Sequence, residues 1–135
     1  KQQELEKQIR LTLLQNRLDK LFEPQTIGDD SYNAKFPFVR NDDMCIRAIK
    51  PLHFSQKEPA QVLEHGLEWA GRIRKLTDKK FILPDNVLFA VQGPDQKSGE
   101  KHLANFQEAM ADLRKEGARV ELASNDAALV EFAEG

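Results

Sequence analysis

"NVLFAVQG", residues 86–93, is a near-continuous apolar run bounded by Asp85 and Gly93. A strand wetted on one face alternates apolar with polar side chains. An unbroken run of this kind signals a strand covered on both faces, as in a parallel sheet. Parallel neighbours need helical crossovers, and both flanks provide them. Upstream, residues 58–77 place Val62, Leu63, Trp69, Ala70, Ile73 and Leu76 on one broad helical stripe, with Gly66 leaving room for a close neighbour. Downstream, residues 99–116 carry Leu103, Phe106, Met110 and Leu113 at core spacing and stop at Gly117. "ARVELAS" (118–124) follows as a strand, and "NDAALVEFAE" (125–134) closes the chain as a helix capped by Asn125 or Ser124.

Ahead of residue 58 the pattern is shorter in range. Two strands, about 36–40 and 44–50, meet across Asn41 and Asp42 or Asp43. Alternation puts Met44, Ile46, Ala48 and Lys50 on one face and Cys45, Arg47 and Ile49 on the other, so each face mixes apolar with charged side chains. "EPQTIGDDSYNAK" (23–35) is polar and rich in turn formers, and reads as a loop. Residues 1–22 read as a helix in which Leu11, Leu14, Leu18 and Leu21 recur at spacings of three and four, beside Ile9 and Leu13, with Pro24 marking the end. The expected architecture is a single α/β domain over residues 1–135 in the order α-β-β-α-β-α-β-α. Its sheet is mixed, with a parallel part flanked by helices joined by right-handed crossovers.

Composition narrows the function classes. The chain is 40% hydrophobic and 31% charged, which suits a folded domain and is too apolar for a disordered one. Twenty basic against twenty-two acidic residues give a net charge of −2, so only a local patch could attract nucleic acid or an anionic membrane. No apolar run approaches the roughly 20 residues that span a bilayer. Cys45 is alone, which excludes an internal disulfide and a cysteine metal site and points to a reducing, cytoplasmic setting. The opening "KQQELEKQIR" has no signal-peptide character and no initiator methionine, so a piece of a longer chain is expected.

Several stretches have the outline of chemistry. "DDMCIRAIK" (42–50) sets an acidic turn ahead of a strand ending in lysine. It resembles restriction-endonuclease-like nucleases, where an acid on one strand and acid-x-lysine on the next hold Mg²⁺ and activate water. The order helix, strands, helix, strand is similar to part of the same core. The resemblance implies Asp43 and Lys50 as site positions. Ala48 fills the place of the second acid, and a methyl group does not ligate metal, so it also implies an inactive relative that binds nucleic acid or protein. Arg72, Arg74, Lys75, Lys79 and Lys80 form the densest basic cluster and could meet phosphates, against the plainer reading of a solvated helix end. Gln92, Gly93, Asp95, Lys97 and Ser98 lie at a strand-to-helix junction whose spacing fits neither a Walker loop nor a dinucleotide fingerprint. That junction is also similar to the metal-binding strand end of toprim domains, with Gln92 where glutamate is wanted. His65 and Glu68, three apart, could share a metal, but a single such pair makes no site.

No catalytic set is complete, and no cofactor or metal is implied. The leading expectation is a non-catalytic interaction or regulatory module of a larger intracellular protein. It would meet a protein partner or a second copy through Leu11, Leu14, Leu18 and Leu21, with no membrane involved. The alternative is nucleic-acid binding or processing on a degenerate restriction-endonuclease-like fold, through Arg72, Arg74, Lys75, Lys79, Lys80, Asp43 and Lys50.

Overall fold

The apolar run at 86–93 is a central strand of a five-stranded sheet. A computed structural model describes residues 1–43 and 45–135. The elements are α1 (Gln2–Gln15), β1 (Glu23–Gly28), β2 (Asn33–Asp42), β3 (Cys45–His53), α2 (Pro59–Asp78), β4 (Val87–Gln92), α3 (Glu100–Lys115), β5 (Arg119–Leu122) and α4 (Asp126–Glu134). The strands lie in the order β1-β2-β3-β4-β5. β1, β2 and β3 are antiparallel neighbours, whereas β3, β4 and β5 run parallel. The expected mixed α/β sheet, with its parallel part between helices, is what the chain forms. Residues 87–91 are all buried because β4 has a neighbour on either side and helices on either face.

The two faces have separate cores. α2 and α3 cover one, over Phe36, Val39, Ala48, Leu52, Phe54, Phe89 and Val91. α1 and α4 cover the other, where Leu5, Ile9, Leu13, Leu129 and Phe132 meet Phe38, Ile49 and Leu88. Gly66 does admit a close neighbour: a Cβ there would stand 2.6 Å from the Ala109 Cβ on α3. Asn125 is the α4 cap, its side chain accepting from the Ala128 N–H at 3.1 Å.

Three expectations need correction. Part of the 23–35 loop is strand β1, with Thr26 and Ile27 opposite Lys35 and Ala34. Only Ile27 of β1 is buried, so this edge strand leaves no alternating signature. The turn residues do turn, since Asp29 Oδ1 accepts from the Ser31 N–H at 2.8 Å and from its hydroxyl at 2.6 Å.

The first helix ends at Gln15, well before Pro24. Arg17 takes a left-handed φ of 59°. The Leu18 N–H reaches the Leu13 carbonyl at 2.8 Å and the Arg17 N–H reaches Leu14 at 3.1 Å, a Schellman stop. Leu18 thereby turns into the core, and Leu21 falls in a short 3-10 turn (Asp19–Leu21).

The hairpin strands are longer than expected, and β2 carries a bulge. Glu23 faces Val39 while Gln25 faces Phe36, so β2 has one residue too many there. The bulge resets alternation, which is why Phe36 and Val39 serve one core and Phe38 the other. Of the face predicted for Met44, Ile46, Ala48 and Lys50, the Met44 position lies outside the described residues.

Pairing between β2 and β3 ends at Phe38 opposite Ile49. The next residues on the two strands are Pro37 and Lys50, followed on β3 by Pro51. Proline has no N–H to give a ladder. Beyond this point β2 belongs to β1, and Lys50 through His53 pair only with β4. The sheet forks, and one edge of β3 is left open. Among the described residues, no helix is long and apolar enough to cross a membrane.

Candidate functional site

Lys50 stands at the fork. Its cross-strand partner is Phe89 on β4, which places it on the α2 face of the sheet. The ammonium lies 4.8 Å from the centroid of the Trp69 ring, and the Arg72 guanidinium lies 4.6 Å from the same ring. Trp69 is buried and held edge-on by Phe36 and Phe89, with centroids at 5.9 and 6.1 Å. Two cations therefore lie against one fixed ring, each contact of a kind worth about 0.5–2 kcal/mol, against which the repulsion between them acts. The ion pairs among the described residues are Arg40–Asp42, Arg72–Glu68 and Arg74–Glu116, and Lys50 is in none of them. Burial pushes the Lys50 ammonium below its usual pKa; Glu6 on α1 opposes this and Arg72 adds to it.

The open edge continues into two histidines. The His53 Nδ1 is 2.8 Å from the Ser55 hydroxyl, and its ring centroid is 6.1 Å from that of His65 on α2. His65 packs edge-on against Phe54 at 5.3 Å. Its Nε2 is buried without a hydrogen-bond partner, as is Gln56 Oε1 nearby. Both imidazoles are pushed down by burial. For His53 the positive charges at residue 1 add to the effect. For His65, Glu68 opposes it, and His53, Lys50 and Arg72 add to it. A hollow of about 260 Å³ lined by Gln56, Gln61, Glu64, His65 and Glu68 opens beside them. On the α1 side, the Gln2 amide donates to the Pro51 carbonyl at 2.8 Å and to Glu6 at 3.0 Å, covering part of the strand edge.

Among the described residues, burial is the leading cause of a shift at Lys50, His53 and His65 alone. The other shifted groups, Asp29 and Arg74, are exposed and owe their shifts first to hydrogen bonds. Perturbed titratable groups concentrate where a protein holds or moves charge. The signal was present in the sequence: His65, Trp69 and Arg72 recur at four and three on α2, and Lys50 and His53 end the preceding strand. Only the pairing of strand with helix brings them together.

The sequence candidates are placed as follows. Asp43 is exposed in the turn after β2, at the opposite end of β3 from the fork. At roughly 3.3 Å per residue, the strand from Cys45 to Lys50 alone separates them by about 16 Å. The structure does not bring Asp43 and Lys50 together. Ala48 is buried under α2 on the Lys50 side of the strand. The basic cluster divides because a helix turns about 100° per residue. Arg72, Lys75 and Lys79 share one side of α2, and Lys79 Nζ reaches the Ser31 hydroxyl at 3.4 Å. Arg74 points the other way and is held by Glu116 on both carboxylate oxygens at 3.1 and 3.0 Å. Lys80 follows the helix in a left-handed conformation, φ 64°.

Leu11, Leu14 and Leu21 are 52%, 55% and 44% exposed, whereas Leu18 is 8% exposed and part of the α1-side core. Leu14 also borders a cleft of about 270 Å³ with Leu13, Phe22, Pro24 and Phe38. Gln92 and Gly93 meet Ser124 and Gln8 around a small hollow of about 210 Å³. Asp95 and Lys97 instead close a turn of their own, the Lys97 N–H donating to Asp95 at 3.0 Å. No group of three or more His, Cys, Asp or Glu stands close enough to hold a metal ion among the described residues.

No protein-family model matches the chain, and no curated protein or solved structure matches it either.

Proposed function

We propose that the chain is a nucleic-acid-binding module whose contact surface starts at the fork between β2 and β3. The observation that carries this reading is the Lys50 ammonium, held in the fork without an ion-pair partner among the described residues. From it a basic stripe runs along α2 through Arg72, Lys75 and Lys79. Such a line of cations suits a phosphate backbone, which presents its charges in a row. The likeness of "AIK" (48–50) to the acid-x-lysine strand of restriction-endonuclease-like nucleases supports the same reading, with Ala48 in place of the acid.

Fluorescence anisotropy with labelled oligonucleotides tests it. Affinity is expected at low salt and should fall steeply as salt rises. Replacing both Arg72 and Lys75 with alanine should reduce the log–log salt slope by about 1.5, at roughly 0.7–0.9 per phosphate contact. Absence of binding at low salt removes the reading.

A second reading keeps the chain as an interaction module. It is favoured by Leu11 and Leu14 on α1 and Leu21 in the 3-10 turn that follows, which remain exposed, and by the cleft that Leu14 borders with Leu13, Phe22 and Phe38. Leu18 leaves the proposed contact set because it serves the core. Sedimentation of the wild type and Leu14→Lys tests it. Self-association lost in a variant of unchanged melting temperature supports a second copy as partner. A monomer that captures no partner in a pull-down counts against it.

A further inference from the structure

We propose that the cleft at the end of α1 receives a second copy of this chain, in a two-fold dimer that sets Arg10 of each copy against Asp19 of the other. The proposal rests on the interaction reading and deepens it, from an exposed surface to one partner in one arrangement.

The surface is local. Seven large hydrophobic side chains are exposed among the described residues, and three of them, Leu11, Leu14 and Leu21, fall within eleven residues of chain. The other four are spread from α2 to β5. A helix turns about 100° per residue, so Arg10, Leu14 and Leu11 stand side by side around α1, in that order. Arg10 and Leu14 line the cleft of about 270 Å³ with Phe22, Pro24 and Phe38. Asp19 lines it too, from the 3-10 turn that also carries Leu21.

Charge identifies the occupant. The cleft is lined by one cation and one anion, Arg10 and Asp19. Neither has an ion-pair partner among the described residues. The Arg10 guanidinium rests instead over the Phe38 ring, 5.7 Å from its centroid. An acidic partner would meet Asp19 with like charge, and a basic one would meet Arg10. A neutral apolar segment would cover both charges and pair neither, which is unfavourable. A second copy, turned about a two-fold axis, brings an anion to each cation and a cation to each anion, because such an interface sets residue i on j and j on i. The leucines then supply the apolar contact, and the two ion pairs fix the partner and its orientation. The contact is also closed: it uses the surface of both copies, so association stops at two. The basic stripe of α2 stays open in such a dimer, since α2 covers the other face of the sheet.

The test is light scattering of the full chain at rising micromolar concentration, beside two charge reversals, Arg10→Asp and Asp19→Arg. The wild type is expected to approach the mass of two chains and stay there. Each reversal puts two like-charge contacts into the interface and should weaken association by about 10-fold or more, with circular dichroism unchanged. An equimolar mixture of the two variants should recover the wild-type mass. In the mixed dimer one contact is reversed and the other is native, so both pair opposite charges. A variant that merely loosens its own helix would not be rescued in this way. A mixture that stays monomeric overturns the arrangement, and so does a mass that grows past two chains. Association that survives both reversals but is lost in Leu14→Lys also overturns it and leaves the interaction reading standing. A wild type that is monomeric at every concentration overturns it too, and the interaction reading then depends on a partner of another kind. Association untouched by all three variants removes both.

Discussion

The two faces of the sheet are built from the same strands and are covered in different ways. On the α1–α4 side, Leu5, Ile9, Leu13 and Leu129 form an aliphatic layer, and Thr12 is the buried polar side chain, satisfied by the Gln8 carbonyl at 3.2 Å. Its cations stay outside: Arg10 and Arg119 approach Phe38 and Phe132 from the rim, at 5.7 and 5.5 Å. On the α2–α3 side Trp69, Phe36, Phe54, Phe89 and Phe106 stand among aliphatic side chains. There Lys50 and His65 are drawn partly into the layer, both at a desolvation cost. A face that only needs to be stable excludes such groups. One face is aliphatic scaffold, and the other carries the candidate site.

The sharpest way to break this contrast is to truncate an anchor on each side. Trp69→Ala should cost about 3–5 kcal/mol of stability and Ile9→Ala about 2–5 kcal/mol, read by denaturant unfolding. Only Trp69→Ala should also weaken oligonucleotide binding under conditions where both variants are folded, because it frees Lys50 and Arg72. Equal effects on binding would erase the distinction between the faces.

Next in size is the contact between the site-side helices. Gly66→Ala raises helix propensity, worth about 1 kcal/mol at an open position. Here the new methyl meets Ala109 at 2.6 Å, and overpacking costs about 1–3 kcal/mol. A lower melting temperature is expected, whereas a rise would mean the helices separate freely.

A pH dependence should follow from His65. Its folded pKa lies below the ordinary 6.5, so between those two values the unfolded chain holds more protons than the folded one. Stability must therefore rise as pH increases through that window and be lowest beneath it. On going from about pH 7.5 to about pH 5, the wild type should lose more of its unfolding free energy than His65→Gln does. Identical pH slopes would show that the ring is not desolvated.

The smallest effects test residues that the fold sets apart. Arg74→Ala should leave oligonucleotide affinity unchanged, since Glu116 already holds the guanidinium away from the stripe. Arg72→Ala should weaken it by several-fold at low salt. Asp43→Asn should alter neither stability nor binding, because its carboxylate is exposed at the far end of β3. A loss of binding in Asp43→Asn would move the site to the hairpin turn.

Much of this architecture was legible from one dimension. Continuous apolarity at 87–91, helical stripes on both sides and Gly117 after the third helix are local signals, and each element forms where its signal lies. The strand at 23–28 was not legible, because an edge strand with Ile27 as its buried residue has no alternation to read. The end of α1 was hidden for a different reason. A left-handed turn at Arg17 uses a residue with no special liking for it, and the leucine spacing runs on past the stop.

The sequence by itself determined the class of the fold, the helix faces and the absence of an acid at Ala48, since periodicity and side-chain chemistry are properties of near neighbours. The tertiary structure alone decided that Lys50 meets Trp69 beside Arg72, that His53 comes to His65, and that Asp43 stays away. Register, a bulge at Pro37–Phe38 and the ladder's end at Phe38 and Ile49 set those distances. A strand and a helix come into contact only through the packing of the whole chain, and no spacing along the sequence records it.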